Sequence, residues 1–153
     1  MIEKKFVEAL KIISHRLTKE HISWALVGST NMAFQGIDVN PHDLDIVMAL
    51  KDLKSIPALL SDYNPSELTT LTPIGNERLA AEVKVHIHGV EVQFFADNDS
   101  AVYVSKLLAH KLVNLKIENT DIPCFTLEAE SQAYSETNRK EKADKIKKFI
   151  EKS

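Results

Sequence analysis

Ile2, Phe6, Leu10, Ile13 and Leu17 recur every three or four positions between lysines and glutamates. That spacing predicts an amphipathic helix over residues 2–20. A short apolar run then predicts a first strand over about Ser23 to Val27, stopped by Gly28-Ser29. Met32, Ala33 and Phe34 predict a short helix from Thr30 to Gln35, closed by Gly36 as its C-cap. A second strand is expected over about Leu44 to Leu50. Asp52 is placed to cap a third helix through about Leu60, with Pro57 either tolerated near its start or kinking it.

From Asp62 to Asn76 the chain holds Asn64-Pro65, Pro73 and Gly75, which predict loop, with edge pairing over Thr69 to Thr72. Ala81, Val83, Val85 and Ile87 then alternate with Glu82, Lys84, His86 and His88, as in a half-buried strand. His88-Gly89 predicts a tight turn, and Val90 to Phe95 returns as the hairpin partner within a β region from Leu79 to Ala96. Asp97 to Ser100 reads as a turn. Val104, Leu107, Leu108, Leu112 and Leu115 predict a second amphipathic helix over residues 101–116, and Pro123 interrupts regular structure beyond it. Thr126 is placed to cap a helix to Tyr134, with Glu128 and Glu130 where acids favour the helix dipole. A last helix from about Arg139 carries Ala143, Ile146, Phe149 and Ile150 on one side and many lysines on the other. No repeat, low-complexity stretch or linker divides the chain. At 153 residues it reads as a single domain with a core over about 20–97 and a helical part over about 100–153.

Composition narrows the function classes. Nineteen basic residues against 22 acidic ones give a net charge of −3, so no overall basic field draws nucleic acid. One cysteine, Cys124, excludes an internal disulfide and fits a reducing compartment. No apolar run approaches the roughly 18 residues of a membrane span, and the N-terminus lacks a signal peptide's apolar segment. A cytoplasmic protein without membrane contact is expected.

The chemistry concentrates between Trp24 and Val47, in WALVGSTNMAFQGIDVNPHDLDIV. Side chains at i and i+2 of a strand share a face, roughly 7 Å apart. With Leu44 and Ile46 toward a core, Asp43 and Asp45 would face a cleft together. Two such acids repel, and bound Mg²⁺ would relieve them, because this ion takes one or two carboxylates plus phosphate oxygens. Gly28 lets the backbone come close to a phosphate, and Ser29 can donate to it at a helix start.

This order of strand, Gly-Ser, helix and then Asp-x-Asp on the next strand resembles the nucleotidyltransferase superfamily that includes DNA polymerase beta. Its minimal, stand-alone members are the nearest in pattern. Thirteen residues separate Ser29 from Asp43, which suits the family's spacing. The resemblance covers residues 20–97 well and the remainder loosely. It implies an α+β fold: a small mixed sheet with helices packed on one side and C-terminal helices covering the rest. It also implies a third carboxylate on a later strand, a few residues after a hairpin glycine. Here that place falls on Gln93, with Glu91 two residues away on the same face.

The implied activity is metal-dependent transfer of a nucleoside monophosphate from a nucleoside triphosphate to a hydroxyl. Asp43 and Asp45 would hold Mg²⁺ or Mn²⁺, Gly28 and Ser29 the triphosphate, and Glu91 or Gln93 would sit near the acceptor. Lys51, Lys106 and Lys111 are candidate cations for the leaving pyrophosphate, and Arg139-Lys140 is a further candidate contact. Size and charge disfavour a nucleic-acid polymerase, leaving a small molecule or a protein as acceptor. The competing reading is a catalytically degenerate binding module of the same fold, antitoxin-like or partner-binding, supported by glutamine at position 93. Other chemical signals resolve blandly. His86 and His88 lack a third ligand nearby, Asp97 and Asp99 lack the glycine and glutamate of a calcium loop, and Cys124 lacks a base partner. The lysines from Lys140 to Lys152 alternate with Glu141, Asp144 and Glu151 as on a solvated helix.

Overall fold

A computed structural model describes residues 2–70, 79–97, 112–136 and 139–153. The expected turn at 98–100 and most of the expected 101–116 helix, with Lys106 and Lys111, lie outside the described residues. Helix α1 (Lys4–Lys19) buries Phe6, Leu10, Ile13 and Leu17, the side read from its periodicity. Strand β1 (Trp24–Val27) runs directly into α2 (Gly28–Phe34), which therefore starts two residues before the expected Thr30. Strand β2 (Leu44–Met48) follows. In place of one helix to Leu60 come two single turns, α3 (Leu50–Leu53) and α4 (Ile56–Leu59). Pro57 stands at the start of the second, where its missing N–H costs nothing.

Strand β3 (Thr69–Thr70) is the expected edge pairing. Strands β4 (Leu79–Ile87) and β5 (Val90–Asp97) form the expected hairpin. Its turn residues His88 and Gly89 both take positive φ, at 51° and 80°, so the turn's twist matches that of the strands.

Leu112–Ile117 is a strand, β6, and not the end of a helix. It pairs antiparallel with β7 (Thr120–Phe125) across a turn at Glu118 and Asn119, again both at positive φ. Leu108, Leu112 and Leu115 fit helical spacing, but Val113, Leu115 and Ile117 alternate equally well with Asn114 and Lys116. Pairing with β7 decides in favour of the two-residue period. Pro123 accordingly breaks nothing: it lies within β7, in register with Asn114. Helix α5 (Leu127–Glu136) begins at the expected cap, with the Thr126 hydroxyl accepting from the Ala129 N–H at 3.1 Å. Helix α6 (Lys140–Lys152) buries Ala143 and Ile146.

The described strands form one mixed sheet of seven, in the order β3-β4-β5-β2-β1-β7-β6. Register places Cys124, Leu26, Ile46, Phe94 and Val83 in one row across five strands. All five are 0% exposed, covered by α1 and the turns after β2. Trp24 lies in this core as well, and the burial of Cys124 there pushes its thiol up to about 12. The adjoining row, Val27, Asp45, Gln93 and Lys84, must face the opposite way, because successive strand residues alternate. On that second face Ala25, Val27, Val47 and Phe125 pack with Ala129 of α5. No helix of the described residues is long and apolar enough to cross a membrane.

Candidate active site

Asp45 is half-buried on the second face, and Asp43 sits at the bend just before β2. Leu44 and Ile46, between and beyond them, are 0% exposed. The Thr30 hydroxyl donates to the Asp43 carbonyl at 2.6 Å, pinning the start of β2 to α2. Burial pushes the Asp45 carboxyl up to about 7, with the Asp43 charge adding to the effect. Lys142 and Arg139 act in the opposite direction. These two cations come from the start of α6, so the C-terminal helices bring positive charge to the acid pair.

Gly28 explains why the turn after β1 carries a glycine. Its φ is +80°, and Oδ2 of Asp45 lies 2.6 Å from the position a β-carbon would take. The close approach that the glycine permits here is that of Asp45. The Gly28 N–H donates to Oε1 and Oε2 of Glu130, at 3.0 and 3.2 Å. Glu130 also accepts from Nδ2 of Asn31 at 3.2 Å. Asn31 donates to the Phe125 carbonyl at 3.0 Å, and Gln35 donates to the same carbonyl at 2.9 Å and to Oδ1 of Asn31 at 2.7 Å. Glu130 is buried within this network, and the burial pushes its carboxyl up to about 8 against the opposing effect of the two donors. Ser29 is half-buried beside the turn.

Gln93 is the register partner of Asp45 on β5, so the neutral amide stands directly beside the acid. Its Nε2 donates to Oε2 of Glu82 on β4. Glu91 lies two residues nearer the hairpin turn, with Oε1 3.9 Å from Nε2 of His86. It contributes to the rise in Asp45, which puts it within electrostatic reach. His86 and His88 are both exposed, and the described residues hold no group of three or more ligating side chains. Lys51 comes after the far end of β2 from Asp43, so it is not brought to the acid pair.

Three contributors are not evident from sequence. Local pattern places Glu130 at a helix start for its charge alone. Its burial follows from the fold, in which the neighbouring Ala129 packs against Ala25, Val27 and Val47 of the sheet. Tyr134, whose hydroxyl is held above the usual range by burial and by Glu130 and the two aspartates, joins the same cluster. Nζ of Lys142 lies 5.4 Å from the centre of its ring. Glu82 reads in sequence only as the polar side of a strand.

Two carboxylates at one sheet end, with cations across from them, are a donor set that suits a divalent ion shared with phosphate oxygens. No curated protein matches the sequence significantly. Among solved structures, the chain is similar to TM1012 of Thermotoga maritima, a candidate nucleotidyltransferase, at 25% identity and a TM-score of 0.71. That match covers 100% of this chain and 97% of the other. ANT(2'')-Ia in complex with adenylyl-2''-tobramycin is similar in fold, with 10% identity, a TM-score of 0.62 and coverage of 94% and 88%. The lincomycin-bound lincosamide adenylyltransferase LnuA is similar in fold too, at 10% identity, a TM-score of 0.55 and coverage of 95% and 98%. The aminoglycoside-2''-adenylyltransferase family profile matches residues 9–148. The chain belongs to that family, and so to the minimal nucleotidyltransferases whose strand, Gly-Ser and Asp-x-Asp pattern it carries.

Proposed function

We propose that this protein transfers a nucleoside monophosphate from a nucleoside triphosphate to a hydroxyl of a small molecule or protein. The observation that carries the reading is the placement of Asp43 and Asp45 at one sheet end, with Arg139 and Lys142 acting on the same carboxylate. Asp43 and Asp45 would hold Mg²⁺ or Mn²⁺, which when bound stabilises negative charge on the attacking and leaving oxygens. Arg139 and Lys142 fit the β- and γ-phosphates, where charge-assisted hydrogen bonds are strongest. Ser29 fits the same phosphates from the turn side, while Gly28 keeps the turn low enough for Asp45.

In the transfer, the acceptor oxygen attacks the α-phosphorus and the bond to the β-phosphate oxygen breaks, releasing pyrophosphate. Glu91 is the group at the acceptor side able to take the hydroxyl proton, since the Gln93 amide has no basic site for it. Positioning and electrostatics would supply most of the acceleration. The antibiotic acceptors of ANT(2'')-Ia and LnuA support the small-molecule class of acceptor.

Gln93 favours a second reading, a degenerate binding module that keeps nucleotide affinity without turnover. Its amide beside Asp45 is a poorer metal ligand than a carboxylate, and it is engaged with Glu82. Titration of each nucleoside triphosphate with and without Mg²⁺, beside the Asp43→Asn/Asp45→Asn double variant, tests both. Metal-dependent binding lost in the variant supports a nucleotide site at this cleft. Absence of binding by any nucleotide would overturn both readings. Mass-spectrometric detection of a nucleotidylated acceptor then separates enzyme from binding module.

A further inference from the structure

Glu130 is a carboxylate that the transfer itself leaves unused, and it is 2% exposed. Burying such a group is expensive unless donors satisfy it, and an apolar side chain of equal length would fill the same space without that cost. Its donors are specific. The Gly28 N–H reaches both oxygens at 3.0 and 3.2 Å, and Asn31 reaches one at 3.2 Å. Gly28 has no side-chain cap from its own helix, so Glu130 of α5 performs that task from about a hundred residues downstream. The other side of the same glycine is packed against Oδ2 of Asp45, with no room for a β-carbon. A shift of the turn by a fraction of an ångström therefore moves the space in which the Asp45 carboxylate sits.

We infer that Glu130 is a positioning residue for the Asp43–Asp45 pair, fixing through the Gly28 amide the turn against which Asp45 is held. The inference rests on reading that pair as the reacting site. It assigns to α5 a part in the site beyond closing the fold. Asn31 and Gln35 extend the hold to the Phe125 carbonyl at the end of β7, so the turn is tied to α5 and β7 together.

The test compares the wild type with Glu130→Gln, which keeps an acceptor oxygen, and Glu130→Met, which keeps only the volume. Amide exchange at Gly28 and the backbone resonances of Asp43 and Asp45 are followed by NMR at one pH, and Mn²⁺ affinity by electron paramagnetic resonance. In Glu130→Met the Gly28 amide is expected to lose protection and the Asp45 resonances to move. Mn²⁺ affinity should fall by about ten- to a hundredfold, the usual effect of removing a group that orients a metal ligand. Resonances of β6 should stay in place, and Glu130→Gln should lie close to the wild type.

A folded Glu130→Met protein with unchanged Asp45 resonances and Mn²⁺ affinity would overturn the inference. So would a Glu130→Gln protein as damaged as the methionine variant. Should Glu130→Met fail to fold, Glu130→Asp, which withdraws the carboxylate by one methylene, takes its place. Wild-type protein that binds no Mn²⁺ would sink the nucleotide reading alone, because the Asp45 resonances still decide whether Glu130 sets that residue's position.

Discussion

Oδ2 of Asp45 stands 2.6 Å from the point that a β-carbon on Gly28 would occupy. Asp45 lies on β2 opposite Val27, the last residue of the antiparallel β1, and Gly28 follows Val27 as the first residue of α2. The glycine thus answers two demands at once, a φ of +80° and the close approach of a carboxylate. Gly28→Ala is expected to lose on the order of 1–3 kcal/mol of stability, from the left-handed backbone and the contact together. Urea denaturation measures that loss. Mn²⁺ titration of the folded fraction should show weakened binding, because Asp45 must swing aside to admit the methyl group. A variant with wild-type stability would show that the turn relaxes at little cost.

Gln93 presents the opposite problem, a neutral group where the family pattern implies an acid. Gln93→Glu would set a third carboxylate directly beside Asp45 while removing the amide that donates to Glu82. Without metal the variant should lose about 1–3 kcal/mol, the usual cost of stranding a partly buried charged acceptor. Adding Glu82→Gln restores a donor to the new acid and should recover most of the loss. Mn²⁺ should raise the thermal midpoint of Gln93→Glu more than that of the wild type, since a third ligand tightens binding to the folded state. A gain of nucleotidyl transfer by this variant from an inert wild type would establish the binding-module reading. Transfer by the wild type that vanishes in Asp45→Asn would exclude it.

Arg139 and Lys142 lie at the start of α6 and lower the Asp45 carboxyl by their charge. Lys142→Ala and Arg139→Ala should each weaken nucleoside triphosphate binding by roughly ten- to a hundredfold, as expected for a hydrogen bond to a charged phosphate. Nucleoside binding should change far less. The triphosphate affinity of the wild type should fall with added salt, and less steeply in the double variant, because screening then has fewer charges to act on. Isothermal titration at two ionic strengths measures both effects. Equal affinities for the wild type and all three variants would remove α6 from the phosphate site.

The range of each interaction decides how much of the molecule is legible in its sequence. Asp43 and Asp45 are readable because alternation with Leu44 and Ile46 is local, and a strand's two faces come directly from it. The β4–β5 hairpin is readable for the same reason, with His88-Gly89 marking the turn. Strand β6 is not, since Leu112 and Leu115 satisfy helical spacing while Val113 and Ile117 satisfy a strand's. Only pairing with Thr120–Phe125 separates the two. Glu130 lies 102 positions from its partner Gly28, and no local pattern encodes that contact. The burial of Glu130 shows once α5 is packed on Ala25, Val27 and Val47. Arg139 stands out in sequence only as a cation at a helix start, and the reach of Lys142 and Arg139 to Asp45 depends on the packing of α6 against α5.

The buried acid also sets the response to pH. Burial raises the Glu130 carboxyl from its ordinary 4.5 to about 8, so between those values the folded protein keeps a proton that the unfolded chain has released. More protons bound in the folded state means that stability falls as pH rises through this window. The fall attributable to this group is on the order of 3–5 kcal/mol, complete by about pH 8. Glu130→Gln carries no titrating proton while keeping an acceptor for Gly28. Its stability should match the wild type near pH 4 and exceed it increasingly toward pH 8. Urea midpoints of the two proteins from pH 4 to 9, taken without metal, measure the difference. Parallel curves would mean that Glu130 ionises near its ordinary value despite its burial, with the Gly28 and Asn31 donors offsetting the loss of water.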